Sequence, residues 1–274
     1  MIARILATTR TEIHIARRNR WVLIAVLLMV VFSLVLSAAG SAPTGALGAD
    51  RLSVVVASLT SLSVYLVPLV ALLMSFDAVA GEVERGTLPL LLTYPVARWQ
   101  ILTGKLLAHT AILILAIGAG YVAAAGIAIA TDPAAVSGLG ALWRLTWTSV
   151  LLGATFLGIG YALSSLSRRV SGAAGVAIGV WLGFVVLYDL GLLAAIVADD
   201  GGFFTTHIFP AALLANPADA FRLFNLTAAD ASGAASGVGG AALAIPLWQS
   251  LTSILVWPLL SLGLAAWAFR KVEP

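Results

Sequence analysis

Long apolar runs and short charged ones alternate along most of this chain. Six runs reach membrane length, at about 21–39, 54–75, 106–130, 146–167, 173–197 and 249–269. A hydrocarbon core of about 30 Å needs roughly 20 apolar residues in helical form. The pattern therefore predicts six membrane-spanning helices. The fifth run contains Asp189 and the last contains Pro258. Proline is tolerated in a membrane helix when neighbours re-satisfy the freed backbone. The strict alternation of an outer-membrane barrel strand is missing. The expected fold class is an all-α integral membrane protein, with 1–274 as a single transmembrane domain.

Three polar or mixed stretches interrupt this pattern. Residues 1–20 form an amphipathic segment in which Ile2, Leu6, Thr9, Ile13 and Ala16 recur at helical spacing. Arg10, His14 and Arg17 group elsewhere on the wheel. Such a helix can lie on anionic lipid or dock a partner, and the residues alone leave both readings open. Residues 77–105 place Glu82, Glu84, Arg85, Arg98 and Lys105 around the apolar core "LPLLL", with Gly86 and Pro95 as breaks. Gly86 permits a turn and Pro95 ends or starts a helix. The expected shape is a helix end, a turn and a short helix across the membrane face. An apolar patch between charges needs a protein or lipid surface to cover it. Residues 198–248 are too apolar for a solvated linker and carry Pro210 and Pro217. Interfacial helices are expected there, followed by the flexible connector "ASGAASGVGG".

Composition sharpens this picture. The chain is 61% hydrophobic and only 10% charged, with a mean hydropathy of +1.06. Soluble domains average about 25% charged residues. Cysteine is absent, which removes disulfides and thiolate metal sites. The net charge of +3 reflects where the cations lie, and nucleic acid is not an expected partner. Twelve Lys and Arg fall before span one, after spans two and four, and after span six, against three on the other side. By the positive-inside rule both termini are cytoplasmic. The basic start is followed by a full-length span, so it reads as a retained first span rather than a cleaved signal.

Candidate chemistry is sparse. No G-x-x-x-x-G-K-[ST] or H-E-x-x-H occurs, so no catalytic residues are assigned and no nucleotide is expected to bind this chain. Cu(I) favours thiolate and thioether ligands. Beyond the initiator only Met29 and Met74 are available, with His14, His109 and His207 far apart. No metal site is assigned. Asp189 is the one acid clearly inside a predicted span. It is either a hydrated acid near the helix end or a functional group. Gly175, Gly179 and Gly183 lie on one helical face and suit either packing within the chain or a contact between copies.

The stretch "GEVERGTLPLLLTYPVARWQILTGK" resembles the E-x-E-x-G-T…L-L…P-x-x-R…K motif of ABC-2 type transporter permeases. "EIHIARRNRW" is similar to the interface helix of that family, and "NPADAFRLFNL" at 216–226 to its external helix. With "SFDAVAGE" and "LLTYP", the chain resembles the NosY-like branch, the membrane subunit of a system that matures the copper sites of nitrous oxide reductase. The resemblance implies a type V exporter-like fold with an N-terminal interface helix, a cytoplasmic coupling helix and external helices before the last span. It implies that Glu82, Glu84, Gly86, Thr87, Arg98 and Lys105 serve ATPase coupling, and that Arg10, Glu12, Arg17 and Arg18 belong to the interface helix. It further implies a homodimer in the bacterial inner membrane, a NosF-like cytoplasmic ATPase that binds ATP and Mg, and a NosD-like periplasmic partner. Two other readings remain: an ABC-2 exporter for another small molecule, or an ion-coupled secondary carrier. A carrier should show paired intramembrane charges or broken helices in matching halves, which the sequence lacks.

Overall fold

A computed structural model describes residues 2–39, 51–93, 96–227 and 245–272. Pro95 and the connector "ASGAASGVGG" lie outside the described residues. Helices α1 (Ile2–Ala16), α2 (Arg20–Ala39) and α3 (Arg51–Ser75) come first. Two short helices follow, α4 (Ala80–Glu84) and α5 (Thr87–Thr93). Then come α6 (Arg98–Thr131), a 3-10 turn at Pro133–Gly138, and α7 (Leu139–Leu166). Helices α8 (Val170–Leu182) and α9 (Tyr188–Asp199) form one rod through a π-helical turn at Gly183–Leu187. A second π-helical turn leads to α10 (Phe209–Ala215), α11 (Pro217–Thr227) and finally α12 (Leu247–Arg270).

Five helical stretches among the described residues are long and apolar enough to cross a membrane. They are built on α3, α6, α7, the α8–α9 rod and α12. The sixth expected span, α2, is a 20-residue apolar helix, Arg20–Ala39, of which Val22–Ala38 is the described apolar run. It packs closely along α6. A side chain at Gly120 would meet Ser33, and Ser37 Oγ donates to the Ala124 carbonyl at 2.7 Å.

Several polar residues of the apolar core have their hydrogen bonds closed within it. Thr60 and Ser63 on α3 donate to carbonyls one turn back. Tyr121 on α6 joins Ser63 to Ser149 on α7, bonding the latter at 2.9 Å. Unpaired, each such group would cost several kcal/mol in hydrocarbon. Helices α7 and α12 approach closely because Gly158 has no side chain. A Cβ there would lie 2.5 Å from Ser261 Oγ.

Candidate functional site

The basic end of the bundle gathers α1, α4, α5 and the starts of α6 and α8. Arg98–Lys105, expected as part of a connecting segment, forms the first two turns of α6. Lys105 therefore projects from a rigid helix into a buried place between α1 and α4. Its ammonium lies 3.0 Å from Glu12 Oε1 and 2.8 Å from Glu82 Oε1. Lys105 is only 2% exposed and Glu12 8%. Two carboxylates around one ammonium leave the cluster electron-rich, and Glu82 Oε2 is buried without a hydrogen-bond partner. One turn further along α6, His109 Nδ1 and the Tyr161 hydroxyl are 2.6 Å apart. The side chain of Lys105 thus joins three elements that are far apart in sequence.

Helix α1 seats on α6 through small residues. A Cβ on Gly104 would come within 2.7 Å of Thr8 Cβ, and Thr9 Oγ1 donates to the Gly104 carbonyl at 3.1 Å. The inward face of α1 carries Glu12 and Ala16, while Ile2 and Leu6 are exposed. Of the expected face, Thr9 and Ala16 turn inward as read from periodicity, whereas Ile2 and Leu6 do not. The buried line turns toward Thr8, Thr9 and Glu12 because Gly104 offers a close approach there and Lys105 a counter-charge. Arg10, Arg17 and Arg18 remain on the exposed side.

The coupling segment is tied down at several points. Gly86 has φ +67° and makes the turn between α4 and α5. A residue with a Cβ is strained in that conformation. Thr87 Oγ1 donates to the Glu82 carbonyl at 3.3 Å. Glu84 Oε2 accepts from the Val170 N–H at 2.7 Å, so this carboxylate sits at the start of α8, where helix dipoles favour an anion. Arg98 Nη1 donates to the carbonyls of Phe269, Arg270 and Val272 at 3.3, 3.2 and 2.6 Å. It thereby satisfies the orphan carbonyls at the end of α12. Below α5, Leu88 is buried with Ile101, Phe269 and Val272, while Leu90 on the outer face is 64% exposed.

The residues expected to meet a partner through their charges are thus spent largely inside the chain. Glu82, Glu84, Arg98 and Lys105 hold the platform, and Leu90 with Pro89 and Thr93 forms its open surface. Ser164 was not singled out in the sequence. Its hydroxyl accepts from the Val79 and Ala80 N–H groups at 3.0 and 2.9 Å, and a lone serine near a span end carries no signal for this. Gln100 also went unnoticed. It accepts the Ala97 N–H at 3.1 Å, and its place three residues after the cap was the available sign.

At the opposite end, Asp189 on α9 pairs with Arg222 on α11 at 2.9 Å. Arg222 also reaches Asp219 at 3.3 Å. Burial, then the neighbouring Asp189 charge, pushes the Asp219 carboxyl up to about 8. Asn216 Nδ2 donates to the Phe184 carbonyl at 2.7 Å, in the π-helical turn where the ladder of the rod shifts register. Asp189 is therefore a docking point for the helix read as external from "NPADAFRLFNL". Among the described residues, Gly175, Gly179 and Gly183 have no neighbour within 4 Å of a would-be Cβ, so no packing against those residues uses them. Among the described residues no group of three His, Cys, Asp or Glu could hold a metal ion. Met29 and Met74 are both buried in the apolar core.

The sequence profile described as "ABC-2 family transporter protein" matches residues 6–273. The chain belongs to the ABC-2 transporter family. A "Probable ABC transporter permease protein NosY" from Pseudomonas aeruginosa is 44% identical over 269 residues, covering 96% of both chains. A protein of the same name from Stutzerimonas stutzeri is 42% identical over 266 residues, again covering 96% of each.

Proposed function

We propose that this chain is the membrane subunit of an ATP-driven complex in the bacterial inner membrane. In this reading α2 is the first of six spans and both termini are cytoplasmic, in line with the twelve-to-three cation split. A separate, NosF-like ATPase binds ATP and Mg and docks on the outer face of α5 and the basic side of α1. A second copy of the chain completes the permease, and a NosD-like partner approaches the α10–α11 end. The work done serves copper-centre assembly of nitrous oxide reductase, supported by the motif resemblance and by two near-full-length relatives sharing one name.

The observation that carries this reading is the mounting of α5. Leu90 stands exposed on a helix whose other side is anchored by Leu88 and whose flanks are tied to α1, α8 and α12. A load applied to α5 reaches these three elements and also α6, where Leu88 is buried with Ile101. The test is co-purification of an ATPase from native membranes with a tagged chain. Leu90→Asp should abolish capture while leaving the chain inserted. Undiminished capture overturns the docking assignment. Deleting the chain should leave nitrous oxide reductase short of copper, restored by wild type and not by Leu90→Asp. A fully loaded reductase in the deletion strain would move the permease to another small molecule.

A further inference from the structure

A groove of about 190 Å³ runs between α3 and α8. It is lined by Leu72 and Phe76 on one side and Ala174 and Ala177 on the other, and its surface is almost wholly apolar. From Leu69 to Phe76 it extends about 10 Å along α3, at 1.5 Å per residue. Its far end is closed by Trp181, whose indole N–H donates to the Tyr65 carbonyl at 3.0 Å. Its near end approaches the start of α8. Arg168 and Arg169 stand there, both exposed, and Ala174 lies only about 7.5 Å further along the helix. Glu84, a carboxylate at that helix start, accepts from the Val170 N–H.

We propose that this groove and the two arginines form a binding site for an anionic phospholipid. One acyl chain fills the slot up to Trp181, and the phosphate headgroup meets Arg168 and Arg169. A slot this narrow suits a flexible chain and excludes a helix, whose diameter with side chains is about 10–12 Å. A phosphate is attracted to the arginine pair, and basic pockets between membrane helices bind anionic headgroups. The bound lipid would brace α8 against α3 directly beside the turn that Glu84 caps. The site does not depend on the ATPase reading and would exist in the isolated chain.

The full chain, stripped of lipid in detergent, is titrated with dioleoyl phosphatidylglycerol or dioleoyl phosphatidylcholine and bound lipid is counted by native mass spectrometry. Phosphatidylglycerol should bind at least about tenfold more tightly, since each arginine near an anionic surface is worth roughly fivefold. Arg168→Gln with Arg169→Gln should remove that preference, and the Lys–Lys pair at the same positions should retain most of it. Ala177→Leu should weaken both lipids by filling the slot. Equal binding of the two lipids, or a preference that survives the Gln pair, overturns the proposal. So does efficient cross-linking of Ile178→Cys between copies, which would place a second chain over the groove. A Gln pair with an unchanged melting temperature separates lost lipid contact from lost fold.

Discussion

Lys105 is the residue on which the basic end depends most. Removing one partner from a buried ion pair typically costs about 3–5 kcal/mol, because a charge stays buried and unpaired. Lys105→Met strands two carboxylates, Glu12 and Glu82. We expect a loss of about that size in thermal unfolding of the detergent-solubilised chain. Adding Glu12→Gln and Glu82→Gln should recover much of it, and failure of the triple variant to recover would show that Lys105 acts by packing alone. Asp219 offers a test by pH. Its carboxyl binds a proton more tightly in the fold, with a value of about 8, than in the unfolded chain, near 3.9. Stability from this group is therefore complete below about pH 4 and lost as pH rises through about 8. The wild-type melting temperature should fall between pH 6 and pH 9 by more than that of Asp219→Asn. Parallel curves for the two proteins would remove Asp219 as the cause. The sequence exposed these acids and bases by their scarcity in an apolar chain. It could not pair them, since Glu12 and Lys105 are 93 residues apart and Asp189 and Arg222 meet only when α11 folds back on the rod.

Among the elements, apolar runs were the most legible. The predicted run 54–75 became α3 at Arg51–Ser75, and 249–269 became α12 at Leu247–Arg270. Burial from water drives these helices, and hydrophobicity records it directly. The start of α6 was less legible because its first two turns carry Arg98 and Lys105. Charge there signalled a short separate helix across the membrane face, whereas buried counter-charges and the α12 carbonyls let it continue into the long α6. The face of α1 was legible at Thr9 and Ala16 but not at Glu12, because a buried glutamate is expected only once its counter-charge on Lys105 is known. Gly104 is the element-level handle on that contact. Gly104→Val would drive a side chain into Thr8, already 2.7 Å from the Cβ position. We expect α1 to lift from α6 while the spans remain folded. Protease cleavage within residues 1–20 of reconstituted protein should rise several-fold, and ATPase capture should fall. Unchanged cleavage would mean α1 is held chiefly by Glu12.

At the scale of the whole molecule, the α8–α9 rod is the least covered of the long helices. Only 6% of its most apolar window is buried, against 44–67% for α3, α6 and α7. Lipid could cover all of it, yet the rod has two different faces. Ala174, Ala177 and Trp181 turn toward α3, while Gly175, Gly179 and Gly183 lie roughly opposite at 100° per residue. Glycines weaken an isolated helix, and among lipid tails their use is to let another backbone come close. Among the described residues no backbone of this chain does so. A second copy, turned by a two-fold axis along the membrane normal, would bring Gly179 near its own symmetry mate. The chain has no cysteine, so a single Gly179→Cys reports on this directly. A disulfide needs Cα atoms about 4.4–6.8 Å apart, a distance that lipid-separated helices do not hold. Under mild oxidation in native membranes, Gly179→Cys should give a covalent dimer in high yield. Leu115→Cys, on an equally lipid-exposed part of α6, should remain monomeric. Gly179→Leu should block co-isolation of two differently tagged copies without lowering membrane insertion. If Leu115→Cys cross-links as well as Gly179→Cys, collision rather than docking explains the product, and the glycine face loses its role.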